Sequence, residues 1–171
     1  MKISNKLAAA LTVALTIPLA PSLAQAYSRT IMGFAAQPVL VPDAGLTHDD
    51  ASGIKTSDWT TRHQVLYPIA LDQIPGSFTA KVAVTASPST GAEAFCWSIA
   101  YRADGTWTDA KDATATIDGF QELNIPAVTV PAGGYASVSC WLRGGRRPNP
   151  NPSLVGSIPT PASIHRVMIQ Q

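Results

Sequence analysis

The two cysteines of this 171-residue sequence are each followed directly by a tryptophan, in FCWSIAY (95–101) and SVSCWLR (137–143). These residue types support two kinds of chemistry. A pair of thiols in an oxidising compartment forms a disulfide, and an indole ring offers a flat apolar surface with one polar N–H, which suits binding. A bond between Cys96 and Cys140 would close a loop of about 45 residues and contribute about 4 kcal/mol in the chain-entropy treatment. Two cysteines without CxxC spacing do not make a four-ligand zinc site, so we expect no metal.

The residues that could carry catalysis do not form a recognisable motif. Ser157 in VGSIP (155–159) lacks the glycine that would complete a G-x-S-x-G nucleophile elbow. The histidines are far apart, and each is interpreted as an ordinary surface or strand residue (His48, His63, His165). His48-Asp49-Asp50 is interpreted as a polar loop, and four aspartates in turn-rich sequence lack EF-hand spacing (Asp104, Asp109, Asp112, Asp118). We expect no catalytic residue and no cofactor. A small secreted hydrolase remains the alternative, because the carboxylate separation on which glycoside hydrolysis depends is set by the fold.

The first 26 residues have the pattern of a cleavable secretory signal peptide. Lys2 and Lys6 precede an apolar run from Leu7 to Leu19, and Ala24-Gln25-Ala26 is a small-residue cleavage site. The run is shorter than a bilayer span requires, and no later stretch is apolar enough to cross a membrane. We therefore expect a mature chain of residues 27–171 that is secreted or periplasmic and has no membrane span.

The charge balance of the mature chain excludes some classes of partner. Of the 12 basic residues Lys2 and Lys6 lie in the signal peptide, which leaves ten basic against 11 acidic residues. That balance gives no excess of positive charge of the kind that binds nucleic acid or anionic membranes. Arg143, Arg146 and Arg147 form one small basic cluster, interpreted as a solvated loop, with a local anion contact as the alternative.

The pattern along the chain predicts strands and turns with little helix. Segments rich in β-branched and aromatic residues are separated by Gly, Pro, Asp and Ser clusters: 62–71, 77–87, 94–102, 113–117, 120–130 and 135–143. Residues 29–41 and 162–169 would supply the remaining strands, and Asp104-Gly105 is the best hairpin turn. Residues 42–60 and the Pro-rich 144–163 are predicted to be loops, the second a loop or extended arm. Together these patterns predict an all-β fold, an antiparallel β-sandwich of jelly-roll or Greek-key type, with about eight strands, one disulfide and a single domain over 27–171.

Alternation along the two cysteine-containing strands raises the question of which face is buried. Neighbouring side chains on a strand point to opposite faces, and Cys140 shares its face with other apolar residues (Ala136, Val138, Leu142). On the first strand the bulk lies opposite Cys96 instead (Phe95, Trp97, Ile99, Tyr101). Because bonded cysteines must lie close together, either a bulge shifts the register or these four residues face outward. We favour inward cysteines.

An outward aromatic row is typical of a surface that stacks against sugar rings or buries a partner. The alternative, which the sequence favours, is that the arm at 144–163 or the N-terminal segment covers it. Trp107 and Trp59 are either contact residues or loop anchors. The candidate binding residues are Trp97, Tyr101, Trp107 and Trp141, in a non-catalytic module that binds a glycan or an extracellular protein. A purely structural envelope or matrix protein is a third interpretation.

The order of the strand motifs also resembles a known group of proteins. LYPIAL, KVAVTAS, AFCWSIAYRADG, FQELNIP, GGYASVSCWLRGG and IHRVMI are similar, over about residues 60–171, to small secreted bacterial β-sandwich proteins of uncharacterised function. The resemblance implies the β-sandwich fold and an extracytoplasmic location. It implies no activity and no site residues.

Overall fold

The computed structural model describes residues 28–32, 37–38, 45–49, 53–72, 74–151, 153 and 155–171. The signal peptide predicted over residues 1–26 lies outside the described residues. Within them the chain forms thirteen strands: β1 (Ser28–Met32), β2 (Gln37–Pro38), β3 (Leu46–Asp49), β4 (Gly53–Thr56), β5 (His63–Ile69), β6 (Gly76–Ala86), β7 (Glu93–Tyr101), β8 (Trp107–Thr114), β9 (Gly119–Val130), β10 (Tyr135–Arg143), β11 (Gly145–Pro148), β12 (Ser157–Thr160) and β13 (Ala162–Gln170). A 3-10 turn, Pro88–Thr90, joins β6 to β7.

Two antiparallel sheets make up the sandwich. Sheet I has the order β3-β4-β13-β6-β9, with β1 also paired to β13, and sheet II has the order β2-β5-β10-β7-β8. If the eight central strands (β4 to β10 and β13) are counted from one to eight, the sheets read 1-8-3-6 and 2-7-4-5. This alternation of strands between two sheets is the jelly roll, which is built from two Greek keys. The predicted fold class is confirmed.

The core lies between the two sheets and draws its large side chains from several strands. Ile54, Tyr67, Phe78, Leu142 and Ile164 are among its largest fully buried residues, and they come from β4, β5, β6, β10 and β13. Full burial of an aliphatic or phenyl side chain contributes about 1.5–3 kcal/mol. Burial also raises the pKa of the Tyr67 hydroxyl well above its ordinary value of 10.0.

The disulfide joins two adjacent strands of sheet II at directly opposed positions. The ladder between β7 and β10 runs without a register shift from Tyr101↔Tyr135 to Glu93↔Arg143, and Cys96 is paired with Cys140. Both cysteines are fully buried, with 4.1 Å between their Cα atoms. The predicted bond and the inward cysteines are confirmed, and no bulge separates β7 from β10. A disulfide fits an extracellular or periplasmic protein.

Bulk was a poor guide to the buried face of β7, because the inner face of that strand is made of small residues. Ala94, Cys96, Ser98 and Ala100 are all fully buried. The same core cluster contains larger side chains of other strands, such as Phe78 in the facing sheet and Leu142 in the neighbouring β10. Well-packed interiors commonly combine large and small side chains on facing elements.

One predicted strand was wrong in its bounds, and two predicted loops contain strands. The strand predicted at 113–117 is β8, Trp107–Thr114, an edge strand with mostly exposed residues and hence no apolar alternation to detect. The predicted loop at 42–60 contains β3 and β4, and the predicted arm at 144–163 contains the β11–β12 hairpin. These strands are four residues each with few large apolar side chains, so their sequences resemble loops. The Asp104-Gly105 turn is confirmed: Gly105 has φ +85°, and the Arg102 N–H donates to the Thr106 carbonyl at 2.8 Å.

Candidate functional site

The outer surface of sheet II is rich in aromatic side chains. Because inward residues of β7 and β10 alternate with outward ones, a single surface presents the bulky outward residues of both strands. We call this surface the aromatic face, and it consists of Phe95, Trp97, Ile99, Tyr101, Tyr135 and Trp141, together with Trp107 of β8, the register partner of Tyr101. Apart from Trp107 and Tyr135, which are exposed, these side chains are half-buried.

A cleft of about 630 Å³ lies at one end of the aromatic face, where β7 begins and β10 ends. Phe95 and Trp97 meet there edge to face, with ring centroids 5.4 Å apart at 74°. Such a contact adds about 0.5–1.5 kcal/mol beyond burial and fixes the orientation of the rings. Trp141 is the cross-strand partner of Phe95 and thus a diagonal neighbour of Trp97. The described residues that line the cleft are Arg62, Pro88, Glu93, Phe95, Trp97, Thr114, Ala115, Trp141 and Arg143.

Small side chains of β10 lie in the middle of the aromatic face. By alternation Ser137 and Ser139 lie on the outer side of the sheet, yet both are buried. Their register partners on β5 and β7 are larger residues. The Gln64 side-chain amide donates to the Ser139 hydroxyl at 2.8 Å. The larger neighbours therefore enclose these two serines on the outer side of the sheet.

An ion cluster of two arginines and one glutamate closes the cleft end. Arg62 donates to Glu93 Oε2 from Nε at 3.2 Å and from Nη2 at 2.9 Å, and Arg143 donates to Glu93 Oε1. The two guanidinium groups share one carboxylate, so the cluster has a net charge of +1. The Nε of Arg143 and the indole N–H of Trp97 are both buried and have no hydrogen-bond acceptor among the described residues. The side chains of Arg62 and Arg143 are 60% and 32% exposed, so their remaining N–H groups make the cleft end rich in hydrogen-bond donors.

The other end of the aromatic face carries a second aromatic group. Tyr101 and Tyr135 are stacked, with centroids 4.8 Å apart and an interplanar angle of 12°. Trp107 lies beside them with 67% of its surface exposed. The four candidate binding residues therefore share one face but divide into two groups: Trp97 and Trp141 line the cleft, whereas Tyr101 and Trp107 lie beyond it.

The described part of the arm packs beside the sandwich rather than in the cleft. Arg146 of β11 lies over the ring of Trp59 at 3.6 Å, so Trp59 contacts the β11–β12 hairpin. Gly144 and Gly145 have no room for side chains because Ser57 and Thr90 lie against them. None of the described residues at 144–163 lines the cleft. The other covering segment expected from the sequence, the N-terminal one, lies largely outside the described residues.

The predicted basic cluster is divided by the fold. Arg143 lies in the cleft, Arg146 stacks on Trp59, and Arg147 is exposed opposite Ile158 in the hairpin. Arg143 forms an ion pair within the chain, with Glu93.

The outer surface of sheet I is polar by comparison. It presents charged and hydroxyl side chains in register, including Lys81, Thr85, Glu122 and Arg166, and Arg166 donates to Glu122 at 2.7 Å. His165 lies on this side, with its Nε2 2.8 Å from the Thr85 hydroxyl. The aromatic side chains are thus concentrated on one of the two faces.

The remaining polar residues considered from the sequence have structural partners. Asp58 accepts hydrogen bonds from Thr60 Oγ1 at 2.6 Å and from its backbone N–H at 2.8 Å, and lies 3.0 Å from Nε2 of buried His63. These hydrogen bonds hold the pKa of Asp58 well below its ordinary value of 3.8, and those from Thr60 have the largest effect. Hydrogen bonds likewise lower the pKa values of three other aspartates: Thr106 donates to Asp104, Thr129 to Asp109 and Ser89 to Asp118.

No group of three metal-ligating side chains occurs within the described part of the chain. In that same part, no helix has the length and hydropathy to cross a bilayer. Asp50 and the side chains of His48 and Asp49 lie outside what the structure describes.

Comparisons with known proteins identify a fold but no family. No family model and no curated protein matches the chain. Among solved structures, a Clostridium thermocellum endo-1,4-beta-D-xylanase with CBM22-1 and GH10 modules, complexed with xylohexaose, is 12% identical over 82% of this chain and 27% of that one, with a TM-score of 0.54. The xylan-binding module CBM15 is 14% identical over 85% of this chain and 96% of its own, with a TM-score of 0.49. The enzymatically active domain of tailspike protein 4 from bacteriophage CBA120 is 10% identical over 85% of this chain and 19% of that one, with a TM-score of 0.48.

At such identities the likeness shows the β-sandwich fold alone. The chain spans 27% of the length of the xylanase chain and 19% of that of the tailspike domain, which are much longer proteins.

Sequence reasoning did not select several residues of the cleft. Glu93 and Arg143 have the same parity as the aromatic row, two residues before Phe95 and two after Trp141, so alternation alone could have placed them on this face. Arg62 and Pro88 come from a loop and a turn that only the folded chain brings to the cleft.

Proposed function

We propose that this protein is a non-catalytic β-sandwich module that binds a glycan chain on the aromatic face of sheet II, with the cleft at Trp97 and Trp141 as its main subsite. The observation that carries the proposal is the asymmetry of the two outer faces. Aromatic rings with an open cleft lie on one, and charged and hydroxyl side chains lie on the other. Flat rings beside hydrogen-bonding groups suit sugars, which present apolar C–H faces and polar hydroxyl edges.

The shape of the face supports an extended ligand. From Phe95 to Tyr101 the row spans six residues of a strand, about 20 Å at 3.3–3.4 Å per residue. Aromatic groups lie at both ends of this row, and the small serines of β10 run beside it. A chain of several sugar units would contact both groups at once. The xylanase with the highest TM-score among the neighbours described above was solved with xylohexaose, and that ligand is a reasonable first probe.

A small hydrolase is the competing proposal, and the cleft supports it less well. Glycoside hydrolysis generally uses two carboxyl groups that flank the scissile bond. Glu93 is the single carboxylate among the described residues that line the cleft, and it is ion-paired to two arginines. Turnover of xylohexaose or of a peptide substrate, lost on replacing Glu93 with Gln, would favour the hydrolase instead.

The test is calorimetric titration of the oxidised protein with xylohexaose, cellohexaose and chitohexaose, together with a pull-down on insoluble peptidoglycan. Trp97→Ala and Trp141→Ala should each weaken binding about 30-fold, because truncating a central tryptophan costs about 2 kcal/mol or more. Trp107→Ala should weaken only the longer ligands, since Trp107 lies beyond the cleft. Phe120→Ala is the matched control, because Phe120 is also an exposed aromatic residue (60%) but belongs to sheet I. Binding to none of these glycans, or equal losses in Phe120→Ala and Trp97→Ala, would refute the proposal.

A further inference from the structure

We propose that the glycan bound at the aromatic face carries a carboxylate, and that Arg62 and Arg143 bind this group at the end of the cleft. The inference rests on the proposed function, because it assigns a chemical class to the ligand of the same cleft. It predicts an acidic polysaccharide, one with uronic acid residues, in place of a neutral one.

The first support is the charge of the cleft end. Arg62, Glu93 and Arg143 together carry a net charge of +1, and all three line the cleft. Their side chains are 60%, 34% and 32% exposed, so a ligand can reach them while solvent screens them only in part. A positive charge at one end of an otherwise apolar cleft favours a ligand with a negative group at the corresponding end.

The second support is the number of hydrogen-bond donors. A guanidinium group has five N–H donors, and the bonds to Glu93 use two from Arg62 and one from Arg143. Since guanidinium groups cannot accept hydrogen bonds, the complementary ligand group is an acceptor.

The third support concerns geometry. The planar fork of a guanidinium matches a carboxylate in bidentate fashion, and the two arginines already hold one carboxylate, that of Glu93, between them. A ligand carboxylate would join this arrangement from the cleft side. Glu93 keeps both side chains at the cleft end and is therefore a positioning residue in this proposal.

Nearby negative charges determine which way the ligand lies. Asp112 is paired with Trp97 across the β7–β8 ladder, and Asp118 accepts a hydrogen bond from Ser89 beside Pro88. Neither is among the described residues that line the cleft. The carboxylate should lie toward Arg62 and Arg143, with the neutral sugar rings over Trp97 and Trp141.

The experiment compares one polysaccharide in two forms, glucuronoxylan and the same preparation with its uronic acids reduced to neutral sugars. We expect the acidic form to bind about 10-fold more tightly at low salt, and its advantage to fall as sodium chloride is raised toward about 1 M. Arg143→Gln should remove this advantage, so that the variant binds the acidic and the reduced forms with equal affinity. Arg62→Gln, at a more exposed position, should act in the same direction and guards against a folding defect in the first variant.

The matched control is Arg147→Gln, which changes the net charge equally but alters an exposed residue of the β11–β12 hairpin outside the cleft. Equal affinity of wild-type protein for the two forms would overturn the inference and leave the proposed function standing. Binding of neither form would overturn both. Equally tight binding of a sulfated neutral xylan would show that the arginines respond to any anion, which contradicts a site for carboxylates.

Discussion

Reduction of the buried disulfide should lower the free energy of unfolding by about 4 kcal/mol. Cys96 and Cys140 are 44 positions apart, so the bond closes a loop of about 45 residues in the unfolded chain. In the chain-entropy treatment such a loop loses about 13 cal/mol/K, or about 4 kcal/mol at 25 °C. Domains have total stabilities of about 5–15 kcal/mol, so this bond is expected to supply a large part of the total.

The native state should change little when the bond is absent, because the ladder between β7 and β10 does not depend on it. Nine consecutive residue pairs hold these strands in register, from Glu93↔Arg143 to Tyr101↔Tyr135. The reduced thiols would remain in the same buried positions, and no atom larger than hydrogen is added. The expected loss therefore arises mainly in the unfolded chain, which gains conformational freedom.

The assay is urea unfolding of the oxidised protein and of protein reduced while unfolded and then refolded in dithiothreitol, followed by circular dichroism and tryptophan emission. With a urea m-value of about 2 kcal/mol/M, the midpoint should fall by about 2 M on reduction. Cys96→Ala/Cys140→Ala is the parallel variant, which should lose somewhat more because it also removes buried sulfur. A midpoint shift below about 0.5 M in a fully folded reduced protein would refute the reasoning, because the unfolded chain would then gain little freedom on reduction. Loss of glycan binding in that folded protein would mean that the bond, as well as the ladder, is needed to hold Trp97 and Trp141 in place.

Two further predictions concern polar residues outside the cleft. The hydrogen bonds of Asp58, chiefly those from Thr60, lower its pKa in the folded protein. The ionised carboxylate therefore stabilises the folded state above the unfolded pKa of about 4, and this stabilisation is lost as the pH falls through the folded pKa. The melting temperature of Asp58→Asn should therefore lie below that of wild type at pH 7 and approach it at about pH 2, and a constant difference across this range would contradict the assignment. Tyr67→Phe should raise the melting temperature or leave it unchanged, because the Tyr67 hydroxyl is buried and has no partner among the described residues. A loss of more than about 1 kcal/mol in urea unfolding would instead mean that the hydroxyl makes a stabilising hydrogen bond.

Several features of the fold could be predicted because their physical causes are local. The jelly-roll strands β5, β6, β7, β9 and β10 have the β-branched and aromatic residues of strands packed on a core, and their bounds match the sequence segments within about two residues. The Cys96–Cys140 bond followed from compartment and cysteine count. The Asp104-Gly105 turn followed from the positive φ that glycine tolerates.

Other features depend on contacts that no local pattern contains. β8 is an exposed edge strand whose alternation of Trp107, Asp109, Lys111 and Ala113 shows no apolar side, so its ladder with β7 is what defines it. The β11–β12 hairpin has prolines in both strands, at Pro148 and Pro159, and its sequence accordingly predicts a loop. The ion cluster joins Arg62 to Glu93 across 31 positions of sequence, a pairing that only the folded structure brings together.

The two Cys-Trp dipeptides couple the core of sheet II to its aromatic face. Each cysteine points inward and the tryptophan after it points outward, so the bond between Cys96 and Cys140 also fixes where Trp97 and Trp141 lie relative to each other. A slip of one residue between β7 and β10 would exchange the inner and outer residues of one strand. A slip of two would keep the faces but separate Trp141 from Phe95.

Ser137 and Ser139 offer little side-chain bulk to oppose such slips, so the buried core residues and the bond oppose them from the inner face. The buried bond removes both alternatives in the oxidised chain, since it forms only between directly opposed positions. Register in this sheet is thus specified from the core side. The outer residues therefore need not specify the register. They can combine small serines, stacked rings and a cationic cleft end in the arrangement that ligand binding needs.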